Sequence, residues 1–140
     1  MVCPTDKEKD GAMARVEVLG RYHYQQDIQV RQHCLKADEG ESMGGQDQGP
    51  NPYELLLSGL GACTSITLRM YAEKKGWELG EIHVGLHFYR DDQGGEHIDR
   101  TLTCSAELGD EQRQRLLEIA AKTPVTRTVR QGTPIETEWK

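Results

Sequence analysis

The chain has no hydrophobic run long enough to dominate it. Its longest uncharged, mostly apolar stretch, Leu55 to Leu68, is broken by Ser58, Gly59, Gly61, Thr64, Ser65 and Thr67. That is shorter than the roughly 20 residues a membrane-spanning helix requires. The N-terminus, MVCPTDKEKDG, has no apolar h-region, so no secretory signal is expected, no membrane is expected as a partner, and the setting is read as cytoplasmic. Basic clusters are missing as well. The 17 Lys and Arg residues are spread along a chain of net charge -6, which argues against nucleic acid as a partner. Four cysteines, Cys3, Cys34, Cys63 and Cys104, stand far apart with no CxxC or CxxxH pair. In a reducing cytosol they are expected as free thiols. No metal site is expected: His83 and His87 are roughly 13 Å apart along a strand, and His33 and Cys34 point to opposite faces. His23 and His97 read as surface residues. Ser58 and Ser65 lie in a helix without a glycine-flanked nucleophile elbow, and GGQDQG lacks the lysine of a phosphate loop.

What remains is a soluble pattern of strands and helices. The 140 residues suit one domain with one core. The polar residues 1–10 are expected as a flexible tail and 11–140 as the domain. ARVEVLG and RYHYQQDIQVRQHCLKA alternate apolar and polar residues and read as strands, with a turn at Gly20. A loop rich in glycine and acid follows, 38–52. Asn51 is a good N-cap, Pro52 suits the first helical position, Glu54 favours the positive helix end, and Gly76 closes a long helix. Its first half is apolar nearly all round, the mark of a buried central helix. Gly59 and Gly61 each cost such a helix about 1 kcal/mol, which makes sense where something approaches closely.

EIHVGLHFYR and IDRTLTCSAEL alternate cleanly on either side of a hairpin loop, so the sheet is expected to be antiparallel. A second helix, GDEQRQRLLEIAAK, is capped near Asp110. Thr123 and Pro124 open a short third helix, and TPIETEW reads as a last strand. The fold class is α+β.

Cys63 is the strongest candidate for chemistry. A thiol attacks only as thiolate, and its free pKa is about 8.5. A buried mid-helix cysteine is either a small filler or a nucleophile served by a cation such as Arg100, Arg127 or Arg130. Cys104 alternates with core residues and reads as packing. Thr64 and Thr67 read as bonding back to helix carbonyls.

GGQDQGPNPYELLLSGLGACTSITLRMYAEKKGW resembles the first-helix signature of the OsmC/Ohr family, which contains osmotically inducible and organic hydroperoxide resistance proteins. The likeness is closest to its OsmC-like branch and continues through CLKADE, EIHVGLHFYR, HIDRTLTCSAEL and DEQRQRLLEIAAKTPVTRTV, roughly Leu35 to Val129. It implies a curved antiparallel sheet around two central helices, in an intertwined homodimer with sites at the subunit interface. It implies that Cys63 attacks a peroxide O–O bond and becomes a sulfenic acid. In the family's enzymes a second cysteine, before a Pro-Val, then forms a disulfide that a dithiol, often lipoyl-linked, reduces. An arginine and a glutamate activate the first cysteine.

This chain departs from the pattern at Thr123, which stands where that second cysteine would be. Tyr53 follows the NP pair in place of an acid, with Glu54 one place later. No residue matches the family's N-terminal arginine; Arg21 in GRYHY has different neighbours. The resemblance therefore implies a one-cysteine peroxidase reduced by an external thiol or dithiol, with no resident cofactor. Glu54 and either Arg127 or Arg100 would activate Cys63, and Leu56, Leu60, Met70 and Thr123 would line the pocket for an organic hydroperoxide. The alternative is a non-catalytic dimer of the same fold that binds a small apolar or electrophilic ligand. A third arrangement has Cys104 or Cys34 completing a redox pair with Cys63.

Overall fold

The computed structural model describes residues 14–140. The expected flexible tail and Cys3 lie outside the described residues. The elements run β1 (Glu17–Tyr22), β2 (Gln25–Val30), β3 (His33–Ala37), α1 (Pro52–Lys75), β4 (Ile82–Arg90), β5 (Glu96–Cys104), α2 (Asp110–Ala120) and α3 (Pro124–Gln131). The class is α+β with antiparallel sheets. The chain divides into two compact units, the first ending at Leu55 and the second beginning at Leu56.

The first unit is a meander, β1–β2–β3, with every pairing antiparallel. Gly20 does not make the expected turn. It lies inside β1 opposite Gln26, where the register shifts before Tyr22. The turn comes at His23, whose φ is 50°, and a second turn at Arg31 (φ 52°) splits the long strand segment into β2 and β3. After β3 the loop is gathered on Asp38, which is 2% exposed. Its Oδ1 accepts from the Glu39 N–H at 2.8 Å, and its Oδ2 accepts from Gln48 at 3.1 Å and Gln46 at 3.3 Å.

α1 starts and stops where its caps dictate. The Asn51 side chain accepts from the Glu54 N–H at 2.8 Å, and the Glu54 carboxylate accepts from the Asn51 N–H at 2.9 Å. This is a reciprocal capping box. At the other end Gly76 takes φ 70°, and the Trp77 N–H reaches the Ala72 carbonyl at 2.8 Å, a Schellman closure. By length and composition α1 could cross a membrane. In the second unit it instead buries Leu60, Gly61, Thr64, Leu68 and Ala72 along one stripe. Leu68 and Ala72 join Leu79, Leu116 and Ala120 in the core, flanked by Ile82 and Leu102 of the hairpin.

The hairpin pairs Val84 with Leu102, Leu86 with Arg100 and Phe88 with Ile98. At Gly61 α1 approaches it closely: a Cβ there would lie 2.8 Å from Leu86 Cδ1, the tip of a side chain that would have to shift. Gly59 meets nothing within 4 Å. The expected last strand does not form; 133–139 pairs with no strand among the described residues. A strand requires an edge to bond to, and here Ile135 and Trp139 are left 87% and 98% exposed.

Candidate functional site

β5 turns Ile98, Leu102 and Cys104 toward the core, and the same alternation turns Arg100 inward. A guanidinium on an apolar face needs acceptors. Arg100 finds three, one from each helix of its unit. Nη1 donates to Thr64 Oγ1 on α1 and to Thr126 Oγ1 on α3, both at 2.9 Å. Nη2 donates to the Ala120 carbonyl at the end of α2, also at 2.9 Å.

A second layer of bonds fixes those acceptors. Thr64 donates to the Leu60 carbonyl at 2.7 Å, as expected of a helical threonine. Thr126 donates to the Ala120 carbonyl at 3.4 Å. With that proton committed, the Thr123 hydroxyl donates to Thr126 Oγ1 at 2.6 Å. Thr64, Thr123 and Thr126 are all buried.

Cys63 is half-buried, next to Thr64, with Sγ 4.0 Å from Thr67 Oγ1 one turn along. Thr67 thus faces the thiol rather than a carbonyl. Burial pulls the Arg100 pKa below the ordinary arginine value, the like charge of Arg130 adds to this, and the Cys63 thiolate opposes it. Among the described residues neither Arg100 nor Arg130 forms an ion pair with a carboxylate.

The other expected site residues are placed differently. Glu54 is exposed and closes the α1 capping box, roughly 13 Å of helix rise from Cys63. Arg127 is exposed on α3. Leu60 is 4% exposed in the core, whereas Leu56 and Met70 are 45% and 58% exposed. Thr123 is enclosed in the hydroxyl chain. Cys104 donates to the Ala106 carbonyl at 3.4 Å and lines an apolar cleft of about 560 Å³ with Leu79, Leu102 and Leu116. Cys34 donates to Gln29 Oε1 at 3.0 Å on the exposed β3. His83 and His87 are exposed on the hairpin, and His97 bonds Asp91 at 2.8 Å.

Thr126 was not foreseen from the sequence. The available signal was its position three residues after Thr123, which places both hydroxyls on one face of α3. Arg100 had a clearer one: it is the charged residue that interrupts the apolar alternation of β5.

A family model described as OsmC-like protein matches residues 45–138. No curated protein is similar enough in sequence to count as a relative. Among solved structures, an OsmC-like protein from Mycoplasma pneumoniae superposes with a TM-score of 0.73 at 15% identity, covering 84% of this chain and 86% of that one. The organic hydroperoxide resistance protein OsmC from Legionella pneumophila gives 0.62 at 17% identity, covering 85% and 91%. The organic hydroperoxide resistance protein OhrB of Bacillus subtilis gives 0.58 at 23% identity, covering 85% and 93%. At these identities the likeness establishes the fold.

Proposed function

This chain belongs to the OsmC-like protein family, a stress-related family, and we propose that it reduces organic hydroperoxides with Cys63 as the nucleophile. The Cys63 thiolate attacks the outer oxygen of the hydroperoxide. The O–O bond breaks, the alcohol leaves after taking a proton, and Cys63 becomes a sulfenic acid. An external thiol then returns it to the thiol, since the place of a second cysteine is held by Thr123. The observation that carries this reading is a half-buried Cys63 adjacent in α1 to Thr64, whose hydroxyl accepts from Arg100, a guanidinium fixed by three bonds to neutral acceptors. The hydroperoxide resistance proteins that share the fold support the substrate class. A cytoplasmic setting keeps the thiols reduced.

The partner at the site is a second copy of the chain. Leu56, Ile66 and Met70 leave the outer face of α1 apolar and open, beside Gly59, where no described residue comes within 4 Å of an added Cβ. A homodimer covers that face and walls the mouth of the Cys63 site with apolar side chains suited to alkyl hydroperoxides.

The test is consumption of cumene hydroperoxide in the presence of a small thiol or dithiol. Cys63→Ser is expected to abolish it. Equal turnover by variant and wild type overturns the assignment. The second reading, a non-catalytic dimer binding a small apolar or electrophilic ligand, draws on the cleft beside Cys104. It predicts no turnover by either protein and protection of Cys104 from alkylation when that ligand is bound.

A further inference from the structure

Among the described residues the network around Arg100 contains three hydroxyls and no thiol, and neither Arg100 nor Arg130, one turn beyond Thr126 on α3, is paired with a carboxylate. From these features we propose that the thiol that reacts with Cys63 is a small anionic monothiol, held through its carboxylate by Arg130 together with Arg100. The redox step rests on the function proposed above; the anion site does not.

The placement follows from α3. Thr126 lies 2.9 Å from the Arg100 guanidinium, and Arg130 is one turn further along the same face. Arg130 is exposed, so a solute reaches it from solvent. Burial and, after it, the like charge of Arg130 hold the Arg100 pKa below the ordinary arginine value. Three of the five N–H groups of Arg100 are used on Thr64, Thr126 and Ala120. The surrounding sequence points the same way. Between Glu118 and Glu136 the chain has Lys122, Arg127 and Arg130 and no acid. In a chain of net charge -6 this is a local reversal of sign, and it lies where α3 meets the Cys63 site. A carboxylate that enters gains charge-assisted bonds and offsets the repulsion between the two guanidiniums. A neutral or cationic thiol gains neither.

The chemistry needs only that thiol and a hydroperoxide. The thiolate of the first monothiol attacks the sulfenic sulfur of Cys63. The S–O bond breaks, the oxygen leaves as water after taking a proton, and a mixed disulfide forms on Cys63. A second molecule of the same thiol attacks the mixed disulfide, releasing the Cys63 thiolate and a symmetrical small-molecule disulfide. The two electrons lost by the two thiols are those taken by the hydroperoxide.

The experiment uses the full reduced chain and two disulfide probes, dianionic dithiobis(nitrobenzoate) and neutral dithiodipyridine. Mixed-disulfide formation on the Cys63 peptide is followed by mass spectrometry of quenched samples. Arg130→Gln is expected to slow the dianionic probe by about fivefold at low salt and to leave the neutral probe within about twofold. Added salt is expected to shrink the wild-type preference. Equal slowing of both probes, or slowing of neither, overturns the inference. A parallel arm oxidises Cys63 with one equivalent of cumene hydroperoxide and compares mercaptopropionate with mercaptoethanol. There Arg130→Gln is expected to slow only mercaptopropionate. If hydroperoxide leaves Cys63 reduced while the probe preference holds, the peroxidase reading fails and the anion site stands.

Discussion

A guanidinium that bonds three neutral acceptors keeps its charge for whatever lies beside it. Arg100 is in that state, and Cys63 stands next to Thr64, one of the three acceptors. Arg100→Met removes both the charge and the three bonds, while Thr126 keeps the Thr123 hydroxyl and the Ala120 carbonyl keeps the Thr126 hydroxyl, so the loss is roughly 1–3 kcal/mol in all. Arg100→Lys restores the charge without the three-way fork. The two effects therefore separate. At pH 7 alkylation of Cys63 by iodoacetamide is expected to slow about tenfold in Arg100→Met and to recover most of that in Arg100→Lys. Thermal stability is expected to fall in both. If Arg100→Met alkylates as fast as wild type, the guanidinium is a structural strut and no part of the thiol's chemistry.

The elements differ in how far they could be foreseen. Asp38 shows a segment held by one side chain. Burial works to raise its pKa, but the N–H groups of Gln48, Glu39 and Gln46 outweigh this, His23 adds to them, and the carboxyl ends below the usual range. A depressed carboxyl contributes stability above its unfolded value of about 3.9 and loses it as pH falls through the folded value. Asp38→Asn is thus expected to lower Tm at pH 7, with the difference from wild type closing below about pH 4. A difference that persists unchanged in acid would exclude the carboxylate's charge as its source. α1 was legible to its ends because Asn51, Pro52, Glu54 and Gly76 act within a turn of where they stand. The hairpin was legible because alternation is local and both strands lie close in sequence. Gly20 was misplaced because a glycine suits an irregular strand as well as a turn, and the choice fell to the pairing with Gln26. The last strand was misread because a strand needs a partner, which no pattern in 133–139 supplies. The Arg100 network was legible only as a charge on an apolar face. Its acceptors at 64, 120 and 126 come from three elements that only folding brings together.

For the whole molecule the open question is what covers α1. The helix buries one stripe in its own unit, while Leu56, Ile66 and Met70 stay 45%, 54% and 58% exposed on the outer side. Exposed apolar side chains taken singly are ordinary, but a row of them along a central helix marks an interaction face. Gly59 sits among them at a helix cost of about 1 kcal/mol, and unlike Gly61 it has no neighbour among the described residues within 4 Å of where a Cβ would stand. A second copy seated on this face accounts for both. Ile66→Asp places a carboxylate in the middle of it, where desolvation without a partner is costly. Light scattering behind a sizing column is expected to show the wild type at twice the chain mass and Ile66→Asp shifted to the monomer. Wild-type Tm is also expected to rise with protein concentration, as mass action requires of a dimer. Ile66 is not a residue of the Arg100 network, so loss of the dimer and loss of Cys63 reactivity can be read separately. If turnover falls in step with dissociation, the partner helix forms part of the substrate wall. A wild type that runs as a monomer at every concentration, with a constant Tm, removes the second copy and leaves Cys63 to work from one chain alone.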